Sequence, residues 1–496
     1  MVKEEINTLN GDKIHRVRRS MELQPEVIKL ENKRSSKRGF NSPLILFYGL
    51  IALIGLGTLI LFLPISVNSN QNISLVDSFF VSTSAVTVTG LTPVQTEVTW
   101  SIFGLGVIAI LSFIGGLGFM IGAGFLIYIL FGKKINLEQK MLINESLSDS
   151  TPSKYVASSS IRVVLNIFYI SIVLQVLGSA LFYLFWKESD INNEHGLIFN
   201  SIFHSISSFN GAGFDILADG NGGSIGSITN NNNLLAITMI LIFLGSIGYP
   251  IILEFSENIK LFFQSKFKQI FVSLNFKVVV FTTIIVLITG MLQFLFAEWS
   301  NQLTIGLEST QNKIIYSVFH AITRTAGFSI IDYDLIHNST TVTTMALMFI
   351  GGGSLSVAGG IKVGTLTIIL TALISTIMGK EEITLFKRTI TREITRRALI
   401  IFIFSIFLIL FSFIVISSFE PDSIFRELLF ECVSAFGNVG LTTGITEKLN
   451  DFSKIFISFL MIIGRFGPLL LALMFVGKKI EAKAKPAYEV VRLGWI

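Results

Sequence analysis

Runs of roughly 20 predominantly apolar residues, the length a helix needs to cross a bilayer, begin near Pro43, Ser101, Ile161, Asn233, Val278, Thr341, Ala398 and Phe452. They predict eight crossings. Between the first and second, third and fourth, fifth and sixth, and seventh and eighth lie shorter semi-apolar stretches, each ending in a glycine-centred turn. These are too short to span. The pattern therefore predicts an all-α chain in four units, each a crossing, a short re-entrant helix, a glycine turn and a second crossing.

The turn itself recurs. TVTGL (Thr87 to Leu91), NGAGF (Asn210 to Phe214), RTAGF (Arg324 to Phe328) and GNVGL (Gly437 to Leu441) share a glycine followed by Phe or Leu. Their glycines are spaced by 123 (213 − 90), 114 (327 − 213) and 113 (440 − 327) residues, a period that marks internal repetition. Phe80, Phe203 and Phe430 each precede their glycine by ten positions, whereas Phe319 precedes Gly327 by only eight.

Composition agrees with a membrane setting. Apolar residues make up 51% of the 496 and charged residues 14%, and the mean hydropathy is +0.69, unlike an ordinary soluble domain. The one cysteine, Cys432, excludes an internal disulfide framework. Five scattered histidines form no i, i+4 pair, so neither a metal centre nor a catalytic constellation is expected and the chain does not read as an enzyme. Basic residues crowd the N-terminal tail and the even-numbered junctions, among them Lys133, Lys134, Lys140 and Lys154, Lys260, Lys266 and Lys268, Lys380, Lys387, Arg388, Arg392, Arg396 and Arg397, and Lys478, Lys479, Lys483 and Lys485. By the positive-inside rule both termini are cytoplasmic and the glycine turns enter from outside. The basic tail reads as a cytoplasmic segment rather than a nucleic-acid arm, and it has no apolar core of a cleavable signal.

Non-helical backbone at membrane depth is tolerated only where it is buried in protein or lines a watery cavity. Four such turns can converge on one axis. Glycine lets successive carbonyls point into that axis, replacing the water shell of a monovalent cation, while the C-terminal ends of the short helices add partial negative charge. The alternative is that the glycines only let helices pack closely, as Gly118 and Gly122 or Gly360 and Gly364 would. Four turns at matched positions favour an ion filter.

The stretches SAVTVTGL, SSFNGAGF, RTAGF and SAFGNVGLTTG resemble the superfamily of Trk, Ktr and plant HKT potassium transporters, from about residue 42 to the C-terminus. The ending GRFGPL (Gly464 to Leu469) and short tail resemble the bacterial Ktr membrane subunit. The resemblance implies four membrane-pore-membrane repeats, eight transmembrane helices around a pseudo-fourfold pore. It also implies a selectivity filter of Val88, Thr89 and Gly90, Gly211, Ala212 and Gly213, Thr325, Ala326 and Gly327, and Asn438, Val439 and Gly440, with K+ at the carbonyls of the four filter glycines. Glycine in all four repeats goes with potassium, whereas a serine in the first accompanies sodium selectivity in some plant relatives. Two departures are the shortened third pore stretch and Gly211, where relatives commonly carry asparagine.

GGGSLSVAGGIKVG, residues 351 to 364, interrupts the sixth crossing with Gly351, Gly352, Gly353, Gly359 and Gly360, so a loop is expected there below the filter, or else a helix kink. In the family such a loop blocks the cavity and moves on gating. Lys362 and Arg465 are charges within apolar spans. Both are gate candidates facing the permeation path, with snorkelling as the alternative for Lys362. Arg324 is expected to brace the filter through hydrogen bonds or an acid such as Glu431. Asp77, Glu97, Asp215, Asp332 and Asp334 near the outer turns suit cation steering, or helix capping for Asp77. His204 and His320 are expected to be packed and hydrogen-bonded.

The expected organisation is a basic cytoplasmic tail (1–41), pore repeat 1 (42–132), a linker and repeat 2 (133–264), repeat 3 with an intramembrane gate loop at 351–360 (265–379), a linker and repeat 4 (380–476) and a cytoplasmic tail (477–496). The expected activity is inward K+ movement in the plasma membrane, Na+-dependent with Na+ as an activator, through a homodimer above a cytoplasmic nucleotide-binding regulatory ring. The junctions at 132 to 160 and 379 to 397 are the expected contacts with that ring. A sodium-permeable or weakly selective cation transporter of the same fold is the alternative. An organic-solute transporter with inverted repeats would place its breaks on opposite sides.

Overall fold

The computed structural model describes residues 44–69, 71–117, 160–187, 196–217, 228–229, 231–264, 272–380 and 382–467, all within the compact unit Pro43–Ile496. The expected tails at 1–41 and 477–496, Gly118, Gly122 and residues 132–159 of the first junction lie outside the described residues.

The first three units run α1 (Leu44–Leu61), α2 (Leu75–Thr87) and α3 (Ile102–Gly116); α4 (Ser160–Lys187), α5 (Leu197–Asn210) and α6 (Asn232–Ile247) with α7 (Tyr249–Gln264); and α8 (Leu274–Glu298), α9 (Thr310–Thr323), α10 (Asn338–Phe349) and α11 (Val363–Ile377). A two-stranded antiparallel hairpin, β1 (Ile383–Leu385) and β2 (Arg388–Ile390), precedes α12 (Arg392–Phe419), α13 (Phe425–Gly437) and α14 (Asp451–Phe466). The hairpin departs from the all-α expectation. Its strands of three residues are too short to leave a period-2 signature.

Among the described residues, three helices are long and apolar enough to cross a membrane, Leu165–Lys187, Leu274–Glu298 and Arg392–Phe419. Asn232–Ile247 and Tyr249–Ile259 together make a further apolar stretch of that length, bent by 100° at one residue. That residue is Gly248, at φ +101°, and a Cβ there would lie 2.5 Å from the Ser354 carbonyl oxygen. Pro250 follows it, so glycine supplies the turn and proline prevents the helix from running straight through.

The short helices α2, α5, α9 and α13 occupy the centre. Their aromatic anchors Phe80, Phe203, Phe319 and Phe430 are all buried, whereas α12 leaves Ile403, Phe407 and Ile414 more than half exposed. Exposed apolar bands suit contact with lipid tails. The packing is cyclic: α3 lies on α5, α6 on α9, α10 on α13, and α14 returns to α2. The helix after each turn thus packs on the next short helix in the circle.

Candidate functional site

Three of the four turns are built alike. Val88 (φ +57°), Gly211 (φ +66°) and Asn438 (φ +49°) take the left-handed conformation as helix C-caps. The same pair of bonds closes each: Val88 and Thr89 N–H donate to the Ala85 and Ser84 carbonyls, Gly211 and Ala212 to Ser208 and Ser207, and Asn438 and Val439 to Ala435 and Ser434. This satisfies the last carbonyls of each short helix and reverses the chain at the helix end. Gly90, Gly213 and Gly440 follow two residues later at φ +92°, +68° and +94°, values that glycine adopts without strain. The Gly90 and Gly440 amides donate to the Ser84 and Ser434 hydroxyls at 2.9 and 3.0 Å.

The third turn differs, at the place where the sequence is shortened. Arg324 caps α9 in the right-handed region, and Gly327 is absent from the positive-φ glycines. Ala326 N–H donates to the Thr323 carbonyl and Phe328 N–H to Ala326.

The four glycines meet. A Cβ on Gly90 would lie 2.2 Å from the Ala212 carbonyl oxygen, on Gly213 2.6 Å from the Gly327 nitrogen, on Gly327 2.9 Å from the Gly440 carbonyl carbon, and on Gly440 2.1 Å from the Thr89 carbonyl oxygen. Each turn therefore abuts the next in chain order, and the fourth closes on the first. The Asn438 side-chain amide spans that closure, donating to the Thr89 hydroxyl and the Met461 carbonyl at 2.9 Å each. Thr325 joins the same cluster, its carbonyl 3.2 Å from a Cβ on Gly211.

Residues 350–362 leave the helix between α10 and α11 and pack against the ends of other helices. Gly353 and Val357 N–H donate to the Ser246 and Gly245 carbonyls at the end of α6, and Gly351 N–H to Ile361. Gly352 and Gly353 lie so close to α6 that a Cβ would reach 2.2 Å from the Ser246 oxygen and 2.1 Å from the Ile247 oxygen. Gly351 and Gly359 face each other at 1.8 Å on the same measure, and Gly360 takes φ +62°. Gly359 also abuts Asn438, whose Oδ1 would stand 2.3 Å from a Cβ there. The loop thus touches the fourth turn directly.

Two cations grip adjacent carbonyls of this loop. The half-buried Arg465 donates to the Val357 carbonyl and, at 2.5 Å, to Gly115 at the end of α3. Lys362 reaches the Ala358 carbonyl at 2.5 Å, so it turns into the loop and not outward. Tyr249, just past the α6 break, donates to the Gly116 carbonyl at 3.1 Å. Arg324 donates to the Ile350 carbonyl and, at 3.2 Å, to Leu347, capping the end of α10. Glu431 is not its partner. That buried carboxylate accepts instead from the Thr442 and, at 2.9 Å, the Thr446 hydroxyls beyond the fourth turn.

The expected acids are spread around this centre. Asp77 accepts from its N-cap Ser74 and from Lys454 at 2.8 Å. Burial opposes its ionisation, but hydrogen bonds from Lys454 and Ser74 and the charge of Lys454 outweigh it and hold the carboxyl below its ordinary value. Asp334 pairs with Arg426 at 2.7 Å, Asp332 accepts from the Asp334 amide, and Asp215 accepts from the Leu217 amide. His204 lies edge-on to Phe182 and meets the Thr238 hydroxyl, while His320 stacks on Phe294 and meets the Tyr333 hydroxyl at 2.9 Å. Both histidines are packed side chains. Sequence reasoning missed the Tyr249 cap, for which GYP at 248–250 was the available signal. It also missed Glu298, a buried carboxylate accepting from Asn301, Thr304 and the His337 amide, which ties the end of α8 to the start of α10.

A closed ring of glycine turns inside a shell of apolar helices fits a membrane transport protein. The chain belongs to the TrkH family of cation transport proteins, whose family model matches residues 33–483. It is a transporter and not an enzyme. The Ktr system potassium uptake protein B of Bacillus subtilis is 37% identical over 437 residues, spanning 88% of this chain and 93% of that protein. The potassium/sodium uptake protein NtpJ of Enterococcus hirae is 34% identical, spanning 90% and 96%. The crystal structure of the potassium transporter TrkH from Vibrio parahaemolyticus shares the fold with a TM-score of 0.66 at 18% identity, over 90% of this chain and 86% of that one.

Proposed function

We propose that this chain moves K+ inward across the plasma membrane, and that the ring of Gly90, Gly213, Gly327 and Gly440 is its selectivity filter. The observation that carries the reading is the closure of the ring in chain order. Carbonyls of residues 88–90, 211–213, 325–327 and 438–440 stand in for the hydration shell of the ion, and the ends of α2, α5, α9 and α13 direct partial negative charge toward it. Four membrane-pore-membrane repeats supply eight crossings around a pseudo-fourfold axis, with both termini cytoplasmic as the basic junctions indicate.

In the same reading the loop at 350–362 is the gate. Its closed form is held by the α6 carbonyls and by Arg465 and Lys362, whose positive charges also disfavour a cation beneath the filter. A homodimer over a cytoplasmic nucleotide-binding ring would supply control, with Na+ as activator. Potassium is favoured because relatives covering nearly the whole chain are named a potassium uptake protein and a potassium/sodium uptake protein. A weakly selective K+ and Na+ path is the second reading, favoured by the odd geometry of the third turn.

The test is ion-resolved flux into liposomes holding the purified protein, with and without external Na+. K+ or Rb+ uptake well above Na+ uptake, stimulated by added Na+, supports the first reading. Equal K+ and Na+ flux selects the second.

A further inference from the structure

The hairpin before α12 reads Ile-Thr-Leu, Phe-Lys, Arg-Thr-Ile, and its ladder pairs Leu385 with Arg388. Phe386 and Lys387 are therefore a two-residue turn, at φ +47° and +63°. Such turns favour Asn-Gly, because both positions need the left-handed region and a bulky phenylalanine there is an outlier. Strained residues persist where something other than the turn requires them.

The surroundings of the tip indicate what that is. Phe386 is 43% exposed, yet it stands edge-on to Phe281 of α8 at 5.9 Å between ring centres. Phe281 is itself 56% exposed on a helix long and apolar enough to span. It lies seven residues (281 − 274) past the start of α8, roughly 10 Å along the axis. The exposed Lys277 is one turn earlier on the same face. The tip is thus folded back against an exposed apolar face near the start of that helix. Lys387 and Arg388 follow Phe386 directly in the chain, and neither they nor Lys277 pair with a carboxylate among the described residues. The hairpin's Glu382 is engaged by the Thr389 hydroxyl, a rung back from the tip.

We propose that Phe386, Lys387 and Arg388, with Phe281 and Lys277, form a binding site for the headgroup of an anionic phospholipid. Aromatic rings settle at the headgroup level, and lysine and arginine donate charge-assisted hydrogen bonds to phosphate. The site draws on the surface attraction that holds basic segments to anionic leaflets. Its assignment to the cytoplasmic leaflet rests on the orientation proposed above; the lipid chemistry does not.

Native mass spectrometry of the purified full chain, with phosphatidylglycerol or phosphatidylcholine added, tests the site. The intact protein is expected to retain phosphatidylglycerol in preference, and Lys387→Gln, Arg388→Gln and Lys277→Gln each to weaken that retention roughly fivefold. A double variant, Phe386→Asn with Lys387→Gly, installs the favoured turn pair, so it is expected to melt no lower than the parent and still lose the preference. Unchanged phosphatidylglycerol retention in folded variants overturns the proposal. So does full retention accompanied by lost capture of a cytoplasmic protein, which would make the tip a protein contact. Neither result bears on the glycine ring.

Discussion

Gly213 combines a φ of +68° with the Gly327 nitrogen 2.6 Å from where a Cβ would stand, so any side chain there meets both backbone strain and a neighbouring turn. Left-handed backbone costs a non-glycine residue about 1–2 kcal/mol. If that strain distorts the carbonyl cluster, Gly213→Ser is expected to lower K+ over Na+ discrimination about tenfold. Gly106→Ala, with open space around its Cβ, is expected to leave discrimination unchanged. Flux ratios measured on folded, monodisperse protein decide the matter, and an unaltered ratio in Gly213→Ser speaks against a filter at this ring. The need for glycine at 90, 213 and 440 was legible in the sequence because few other residues tolerate such backbone. The partner of Arg324 was not. An arginine announces a demand for acceptors, and only the fold decided that the α10 carbonyls, not Glu431, would meet it.

At the scale of elements, helix ends explain most of what lies below the ring. A helix that stops inside the membrane leaves carbonyls that must find donors. Here α6 is capped by loop amides, α3 by Arg465 and Tyr249, and α10 by Arg324. The loop at 350–362 was legible because five glycines in ten residues cannot hold a helix, whereas the break at Gly248 carried only the brief signal GYP within an otherwise apolar run. Arg465 joins the loop to α3 through charge-assisted bonds, which contribute on the order of 1.5–3 kcal/mol each. If that contact favours a closed loop, Arg465→Gln is expected to raise basal K+ flux about tenfold in liposomes. Equal or lower flux through properly assembled protein argues for a fixed structural tie instead.

For the whole molecule, the spacing of the four glycines predicts internal repetition, and three of the four turns share one cap geometry. Spacing could not tell that α14 would return to α2 and close the circle; the shortened third stretch marked which turn would depart, but not that it would lack the left-handed cap. Cyclic packing gives each turn the same kind of neighbour, so four local bends become one central feature. The most direct measurement of its role is anomalous scattering from crystals of the protein grown with thallium in place of potassium. Thallium peaks are expected on the axis enclosed by Gly90, Gly213, Gly327 and Gly440. A map in which the four turns meet without thallium between them, while the ion binds elsewhere, would contradict the filter.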